Sequence, residues 1–149
     1  MKIKLSEHAL ADLHAHVESA YPEEGAGFLL GHEQEGMRFV EGVLPQSNEF
    51  DADHRRRRYL IEPQDMLRAE NYADQHGYEI LGIFHSHPDH PARPSDYDLE
   101  WSLPWFSYLI TSVTDGKVAQ SRCWRLNDTR TDFIEESIEI TELSRISRS

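Results

Sequence analysis

The chain has 149 residues, of which 38% are hydrophobic and 28% are charged, so its length and composition predict one soluble globular domain. Its formal net charge of −12 at pH 7 argues against general nucleic-acid binding and against an anionic membrane surface, because both favour a basic face. The single cysteine, Cys123, excludes an intramolecular disulfide and a thiolate zinc site.

The N-terminal part of the chain predicts a strand, a helix and a hairpin. Residues 3–5 alternate apolar and basic side chains as a short strand does, and Ser6 is a suitable N-cap for a helix. Apolar residues then recur at helical spacing up to Tyr21, where a proline ends the helix. The apolar run 28–30 predicts a buried strand, and residues 37–44 pair back as the next strand.

Four consecutive arginines, Arg55 to Arg58, form a strongly basic run in this acidic chain. Like charges in such a run are usually solvated and repel one another. The alternative is an edge that meets an acidic protein partner. Residues 59–61 follow as a short predicted strand, and Pro63 suits the first position of a helix that runs to His76.

The next apolar run, residues 80–84, predicts a buried strand that leads into His85-Ser86-His87-Pro88. On a strand, residues i and i+2 point to the same face, so His85 and His87 project together, roughly 6.5–7 Å apart along the strand. Two imidazoles at that spacing can converge on one zinc ion, and Pro88 then ends the strand.

A carboxylate follows shortly after this strand. Ser95 opens a predicted helix with Asp98 in its first turn, and that turn can carry the Asp98 carboxylate back over the strand end. Two histidines and one carboxylate leave a fourth tetrahedral position for water, which is the pattern of a catalytic zinc site. The same residues admit a simpler interpretation, since Ser95-x-x-Asp98 resembles a capping box and a His-x-His pair is common by chance. A helix start without any metal therefore stays open.

The rest of the chain adds strands after this short helix. Residues 106–113 and 118–126 predict an antiparallel pair joined by a turn, and residues 133–140 predict a last strand. Strands and helices mix without strict βαβ alternation, so the predicted fold class is α+β. The predicted domain spans residues 1–140, and a polar tail follows from 141 to 149.

Three segments together resemble the signature of the JAMM (MPN-plus) metalloprotease family, and the resemblance spans roughly residues 3–126. The segments are His85-Ser86-His87-Pro88, Pro94-Ser95-x-x-Asp98 and the upstream Glu24-Gly25-Ala26-Gly27. In that family the catalytic Glu stands three residues before a Gly that begins an apolar strand, which selects Glu24 over Glu23. The resemblance implies a curved, largely antiparallel central sheet flanked by helices, similar to the deaminase-like fold.

The resemblance also implies a zinc-dependent hydrolysis. It assigns one Zn²⁺ per chain to His85, His87 and Asp98, with Glu24 as general base and Ser95 as hydrogen-bond donor to the developing oxyanion. Zinc deamination, which a similar fold carries, is excluded because it needs a Pro-Cys-x-x-Cys motif and the chain has one cysteine. Two other classes stay open, a non-catalytic MPN-type scaffold and a metal-binding module.

The chain lacks the long insertions of the eukaryotic deubiquitinases and looks closer to the compact prokaryotic members of the family. Those members process ubiquitin-like sulfur-carrier proteins, so the resemblance implies hydrolysis of the bond after the Gly-Gly tail of such a carrier. We expect no nucleic-acid or membrane partner. Since the sequence shows neither a signal peptide nor an apolar run of about 20 residues, we expect a cytoplasmic protein. The particular carrier, the leaving residue and the oligomeric state are not readable from the sequence.

Overall fold

The computed structural model of the protein describes residues 2–46 and 61–142. The arginine run 55–58, the beginning of the predicted strand 59–61 and the tail beyond 142 lie outside the described residues. Within the described ranges, the chain forms seven strands and three helices. In chain order these are β1 Lys2–Ser6, α1 Glu7–Ala20, β2 Ala26–Gln34, β3 Met37–Pro45, α2 Pro63–His76, β4 Glu79–Pro88, α3 Asp96–Trp101, β5 Ser107–Thr114, β6 Lys117–Leu126 and β7 Phe133–Thr141.

These strands form one closed sheet in the order β1-β3-β2-β4-β5-β6-β7, and β7 returns to pair with β1. The pairs β2–β3, β2–β4, β5–β6 and β6–β7 are antiparallel, whereas β1–β3, β1–β7 and β4–β5 are parallel. The predicted α+β class is confirmed, and the sheet has four antiparallel and three parallel pairs, so it is mixed with antiparallel pairs in the majority. A parallel pair needs a connection that crosses from one end of the sheet to the other, and α3 lies in the connection between β4 and β5.

Strand β4 is packed on both faces. Phe84 lies in a cluster with Leu13 and Val17 of α1, whereas Ile83 packs in a second cluster with Ala69 of α2. Successive side chains of a strand point to opposite faces, so β4 presents apolar side chains to both clusters. Leu13 is fully buried, and burial of such a side chain contributes roughly 1.5–3 kcal/mol. The two clusters hold β4, whose C-terminal end carries the two histidines.

The predicted helix termini are confirmed. Ser6 Oγ accepts a hydrogen bond from the N–H of Ala9 at 3.0 Å, so Ser6 caps α1. Helix α2 begins at Pro63 and is closed by Gly77, whose φ of 72° lies in the left-handed region that glycine adopts without strain. In the part of the chain that the structure describes, none of the helices is long and apolar enough to cross a membrane.

Candidate functional site

The pairing of β2 with β4 brings the segment before β2 next to the two histidines. The two strands are antiparallel with Ala26 opposite His85, so the chain leading into β2 runs past the C-terminal end of β4. Gly27 has no side chain at the point where β2 passes Phe84, and a Cβ there would overlap the Phe84 ring. This close approach places Glu24, which lies just ahead of β2, beside the end of β4.

The side chains of His85, His87 and Asp98 converge at the end of β4. The Nε2 atoms of the two histidines lie 3.3 Å apart. The Asp98 carboxylate lies 3.3 Å from His85 Nε2 through Oδ1 and 3.4 Å from His87 Nε2 through Oδ2. Tetrahedral ligands at about 2.0–2.1 Å from a zinc ion are separated from one another by about 3.3 Å. The three side chains therefore have the spacing of ligands around one metal ion.

Hydrogen bonds with neighbouring backbone atoms orient two of these side chains. His87 Nδ1 lies 2.8 Å from the carbonyl oxygen of Pro91, so Nδ1 carries a proton and Nε2 can offer its lone pair. Asp98 Oδ2 accepts from the N–H of Ser95 at 2.8 Å, and Ser95 Oγ accepts from the N–H of Asp98 at 3.1 Å. These two bonds form the capping box of α3. Both interpretations of Ser95-x-x-Asp98 are therefore compatible, since Asp98 Oδ1 still faces His85.

The protonation states of these groups suit metal binding. Burial lowers the pKa of His85 to about 4, although the Asp98 carboxylate acts in the opposite direction, so His85 is neutral at pH 7. Burial alone would raise the pKa of Asp98, but the proximity of His87 and His85 and the hydrogen bond from Ser95 hold it below its usual value. Metal ions bind neutral imidazole and ionised carboxylate, which are the forms of His85 and Asp98 here.

A cleft of about 340 Å³ adjoins this group of side chains. Its lining includes His87, Glu24 and Ser95, and Glu24 is half-buried whereas Ser95 is exposed. Glu23 is not among the described residues that line the cleft. Glu24 and Ser95, which the sequence singled out separately, therefore line the same cleft as the predicted ligand His87.

Two further residues, His90 and Arg93, also line the cleft. The sequence predicted no function for either of them and placed His90 in a loop. Both are exposed and lie between the end of β4 and the start of α3. The short spacer between Pro88 and Ser95 could have indicated these two residues, because a short loop that joins two parts of a site has to run along the edge of that site. The sequence likewise predicted no function for Ser86, which lies between the two histidines.

A sequence profile of prokaryotic homologs of the JAB domain matches residues 6–127. The chain therefore belongs to the compact prokaryotic branch of the JAMM (MPN) family, which confirms the family predicted from the signature. A desampylase from Pyrococcus furiosus is 37% identical over 114 residues, which cover 75% of this chain and 73% of the relative. A probable TtuB-protein conjugate cleaving protease from Thermus thermophilus is 34% identical over 110 residues, which cover 72% of this chain and 67% of the relative.

Solved structures show the same fold. The solution structure of a Desulfitobacterium hafniense protein matches with a TM-score of 0.84 and 30% identity, over 99% of this chain and 98% of the other. A Salinibacter ruber protein matches with a TM-score of 0.72 and 37% identity, over 97% and 93% of the two chains. A JAB1/MPN domain protein from Archaeoglobus fulgidus, at 16% identity and a TM-score of 0.56, covers 93% and 97%. The chain thus has the JAB/MPN fold.

Proposed function

We propose that this protein is a zinc-dependent peptidase or isopeptidase that hydrolyses the bond after the Gly-Gly tail of a small ubiquitin-like or sulfur-carrier protein. The observation that carries the proposal is the convergence of His85, His87 and Asp98 beside a cleft that Glu24 and Ser95 line. The desampylase and the TtuB-protein conjugate cleaving protease support it, because both relatives are named as enzymes that act on protein conjugates.

The donor set fits zinc. Two imidazole nitrogens and a carboxylate oxygen, spaced as tetrahedral ligands, are donors that Zn²⁺ favours. His85, His87 and Asp98 would hold the ion, and three protein ligands leave one position for water or substrate, as in catalytic sites. Bound zinc lowers the pKa of a coordinated water to ~7 and polarises the scissile carbonyl.

Glu24 is the proposed general base. Glu24 lines the cleft and is not one of the three ligands, so its carboxylate would take a proton without leaving a metal ion short of a ligand. A carboxylate in this position accepts the proton of the attacking water and then gives it to the leaving amine. This role requires the Glu24 carboxylate to face the substrate, which would bind in the cleft.

Ser95 is the proposed donor to the oxyanion. Its Oγ accepts the N–H of Asp98 at 3.1 Å, and a hydroxyl that accepts one hydrogen bond still has its own hydrogen to donate. In the cleft this hydrogen would stabilise the negative charge that develops on the scissile carbonyl oxygen. One serine would thus cap α3 and serve the reaction.

The proposed Gly-Gly tail has a steric rationale. Glycine carries no side chain, so an extended tail can bring its carbonyl close to the metal ligands, whereas bulkier residues would be rejected by steric clash. A non-catalytic scaffold or a metal-binding module provides no reason for a carboxylate and a hydroxyl to line the same cleft as a ligand. The hydrolytic function therefore accounts for more of the site than either alternative.

The test is the hydrolysis of a carrier protein whose Gly-Gly tail is extended by a reporter peptide. We expect the zinc-loaded protein to release the reporter directly after the second glycine, as measured by the mass of both products. A matched carrier ending in Ala-Ala stays uncut, and removal of zinc by a chelator abolishes cleavage until zinc is restored. A zinc-loaded protein that leaves every Gly-Gly fusion and conjugate intact contradicts the substrate class. Cleavage that survives complete removal of the metal contradicts the metal dependence.

A further inference from the structure

Ser86 lies between the two histidines of β4 and is fully buried. It is not one of the described residues that line the cleft. Its hydroxyl accepts a hydrogen bond from the N–H of Gly25 at 2.8 Å, and its own N–H donates to the Gly25 carbonyl oxygen at 2.9 Å. Two hydrogen bonds thus join the residue between the histidines to the residue that follows Glu24.

These bonds continue the β2–β4 pairing beyond Ala26 opposite His85. In a regular antiparallel ladder the N–H of Gly25 would be received by a backbone carbonyl, and here a side-chain oxygen receives it. Gly25 is also enclosed by α1, since a Cβ at this position would come within 3.2 Å of Ala20 Cβ. The Gly25 peptide is therefore held between α1 and β4.

The position of Glu24 depends on this arrangement. Glu24 is attached directly to Gly25, and glycine has the widest backbone freedom of all residues. Without the hydrogen bond from the Gly25 N–H, the peptide that joins Glu24 to Gly25 could rotate, even though the backbone bond at the Gly25 carbonyl remains. A misplacement of about 1 Å in a catalytic group can cost about 10²-fold in rate. The hydrogen bond from Gly25 to Ser86 fixes the backbone from which the Glu24 side chain extends.

We infer that Ser86 is a positioning residue for Glu24: its hydroxyl ties the Gly25 peptide to β4 and thereby holds the Glu24 carboxylate beside the metal ligands. The inference rests on the proposed function, because it takes Glu24 as the general base. Ser86 does not act on the substrate itself, since it is buried and acts through the backbone of its neighbour.

If Ser86 only stabilised the fold, Ser86→Ala would lower stability without lowering kcat. Ser107 provides the matched control for that case. Loss of either hydroxyl removes a buried hydrogen bond, so both serine-to-alanine variants lose stability. Ser107 is fully buried on β5 and lies opposite Gly82, whereas Ser86 lies opposite Thr111. The two serines are therefore about 13 Å apart along the sheet, and Ser107 makes its hydrogen bonds away from Gly25. Only Ser86→Ala should also lower kcat.

The experiment compares Ser86→Ala, Ser86→Thr and Ser107→Ala as full-length, zinc-loaded proteins on the extended carrier. For Ser86→Ala we expect kcat to fall by about 10- to 100-fold with KM and zinc content unchanged. In the metal-free protein, the Gly25 amide should exchange its hydrogen faster in Ser86→Ala, as measured by NMR. Ser86→Thr, which keeps the hydroxyl, should restore both kcat and the protection of Gly25. Ser107→Ala should keep the wild-type kcat.

A second comparison uses Glu24→Gln as background. If Ser86 acts through Glu24, adding Ser86→Ala to Glu24→Gln lowers kcat no further, because the group it positions has already been removed. An equal loss in both backgrounds, a loss of zinc in parallel with kcat, or a wild-type kcat in Ser86→Ala would each overturn the inference. If Ser86→Thr does not fold, the hydrogen exchange of the Gly25 amide decides. A wild-type exchange rate in Ser86→Ala then overturns the inference. Wild-type kcat in Glu24→Gln, a variant with Ser86 intact, instead shows that Glu24 is not the general base. Absence of cleavage by the wild-type, zinc-loaded protein shows that the proposed function is wrong.

Discussion

Ser95 and Asp98 are joined by two reciprocal hydrogen bonds, of 2.8 Å from the Ser95 N–H to Asp98 Oδ2 and of 3.1 Å from the Asp98 N–H to Ser95 Oγ. These bonds begin α3 and also orient the carboxylate, whose Oδ1 lies 3.3 Å from His85 Nε2. Ser102 adds a hydrogen bond of 2.5 Å from its Oγ to the Asp98 carbonyl oxygen. Since a helix of six residues has little stability of its own, these contacts decide where Asp98 lies.

Ser95→Ala separates the catalytic from the capping contribution of this serine. If Ser95 donates to the oxyanion, kcat should fall by about 10²–10³-fold, the usual cost of one such donor. The lost cap should cost about 1 kcal/mol in the free energy of unfolding, because the Asp98 N–H loses its acceptor. Steady-state kinetics and urea unfolding of the same variant measure both quantities. A wild-type kcat together with the stability loss would leave Ser95 as a cap alone.

The metal ligands are tested by removing them one at a time. We expect His85→Ala, His87→Ala and Asp98→Ala each to lose the zinc, because two remaining donors do not hold the ion at its usual affinity. Elemental analysis of the purified proteins gives the zinc content per chain. His90→Ala is the matched control, since His90 lines the same cleft but lies outside the group of three, and it should keep its zinc. Full zinc occupancy in all three ligand variants would show the site to be elsewhere.

Glu24→Gln should keep the zinc and lose activity. Glutamine has nearly the same shape as glutamate but takes no proton at neutral pH, so kcat should fall by about 10²–10⁴-fold, the range of general-base catalysis. Glu23→Gln is the matched neighbour and should behave as wild type, because Glu23 does not line the cleft in the described structure. If Glu23→Gln lost activity and Glu24→Gln kept it, Glu23 would be the general base. Zinc content and kcat are measured on each variant.

The arginines 55–58 lie outside the described residues, and their role remains a prediction from the sequence. If they attract an acidic carrier protein, kcat/KM for the whole carrier should fall with added salt, because the Debye length shrinks to about 8 Å at physiological ionic strength. The fall should be smaller when all four are changed to Ala. A short Gly-Gly peptide should be cut more slowly and with little salt dependence. Equal efficiency on carrier and peptide, without a salt effect, argues against docking there.

A buried ion pair provides a test of stability away from the cleft. The Glu136 side chain is fully buried and accepts from Arg125 Nη2 at 2.8 Å and from Ser107 Oγ at 2.7 Å. Arg125→Ala removes the cation from this carboxylate, which keeps only neutral donors such as Ser107, and should cost up to about 3–5 kcal/mol in the free energy of unfolding. The control is Arg122→Ala on the same strand, whose pair with Glu135 is more exposed to solvent and should therefore cost less to lose. Urea unfolding that gives equal losses would contradict the argument from burial.

The sequence by itself determined the features that depend on neighbours in the chain. His85 and His87 share a face because side chains alternate along any strand, whatever that strand pairs with. The caps at Ser6 and Gly77 were readable because a cap is made by residues within one turn of the helix end. The family signature also needs only residue types and spacings, and the profile match confirmed it.

Only the tertiary structure decided the features that join residues far apart in the chain. Ser6 of β1 lies opposite Thr141 of β7, and no local pattern names that partner, so the closed, mixed sheet was not predicted. The hydrogen bond from Gly25 to Ser86 likewise exists only in one register of β2 against β4. Backbone groups are alike at every residue, and a shift of one position would turn each side chain to the other face. The register is therefore decided by how both faces of the sheet pack, which no single segment of sequence specifies.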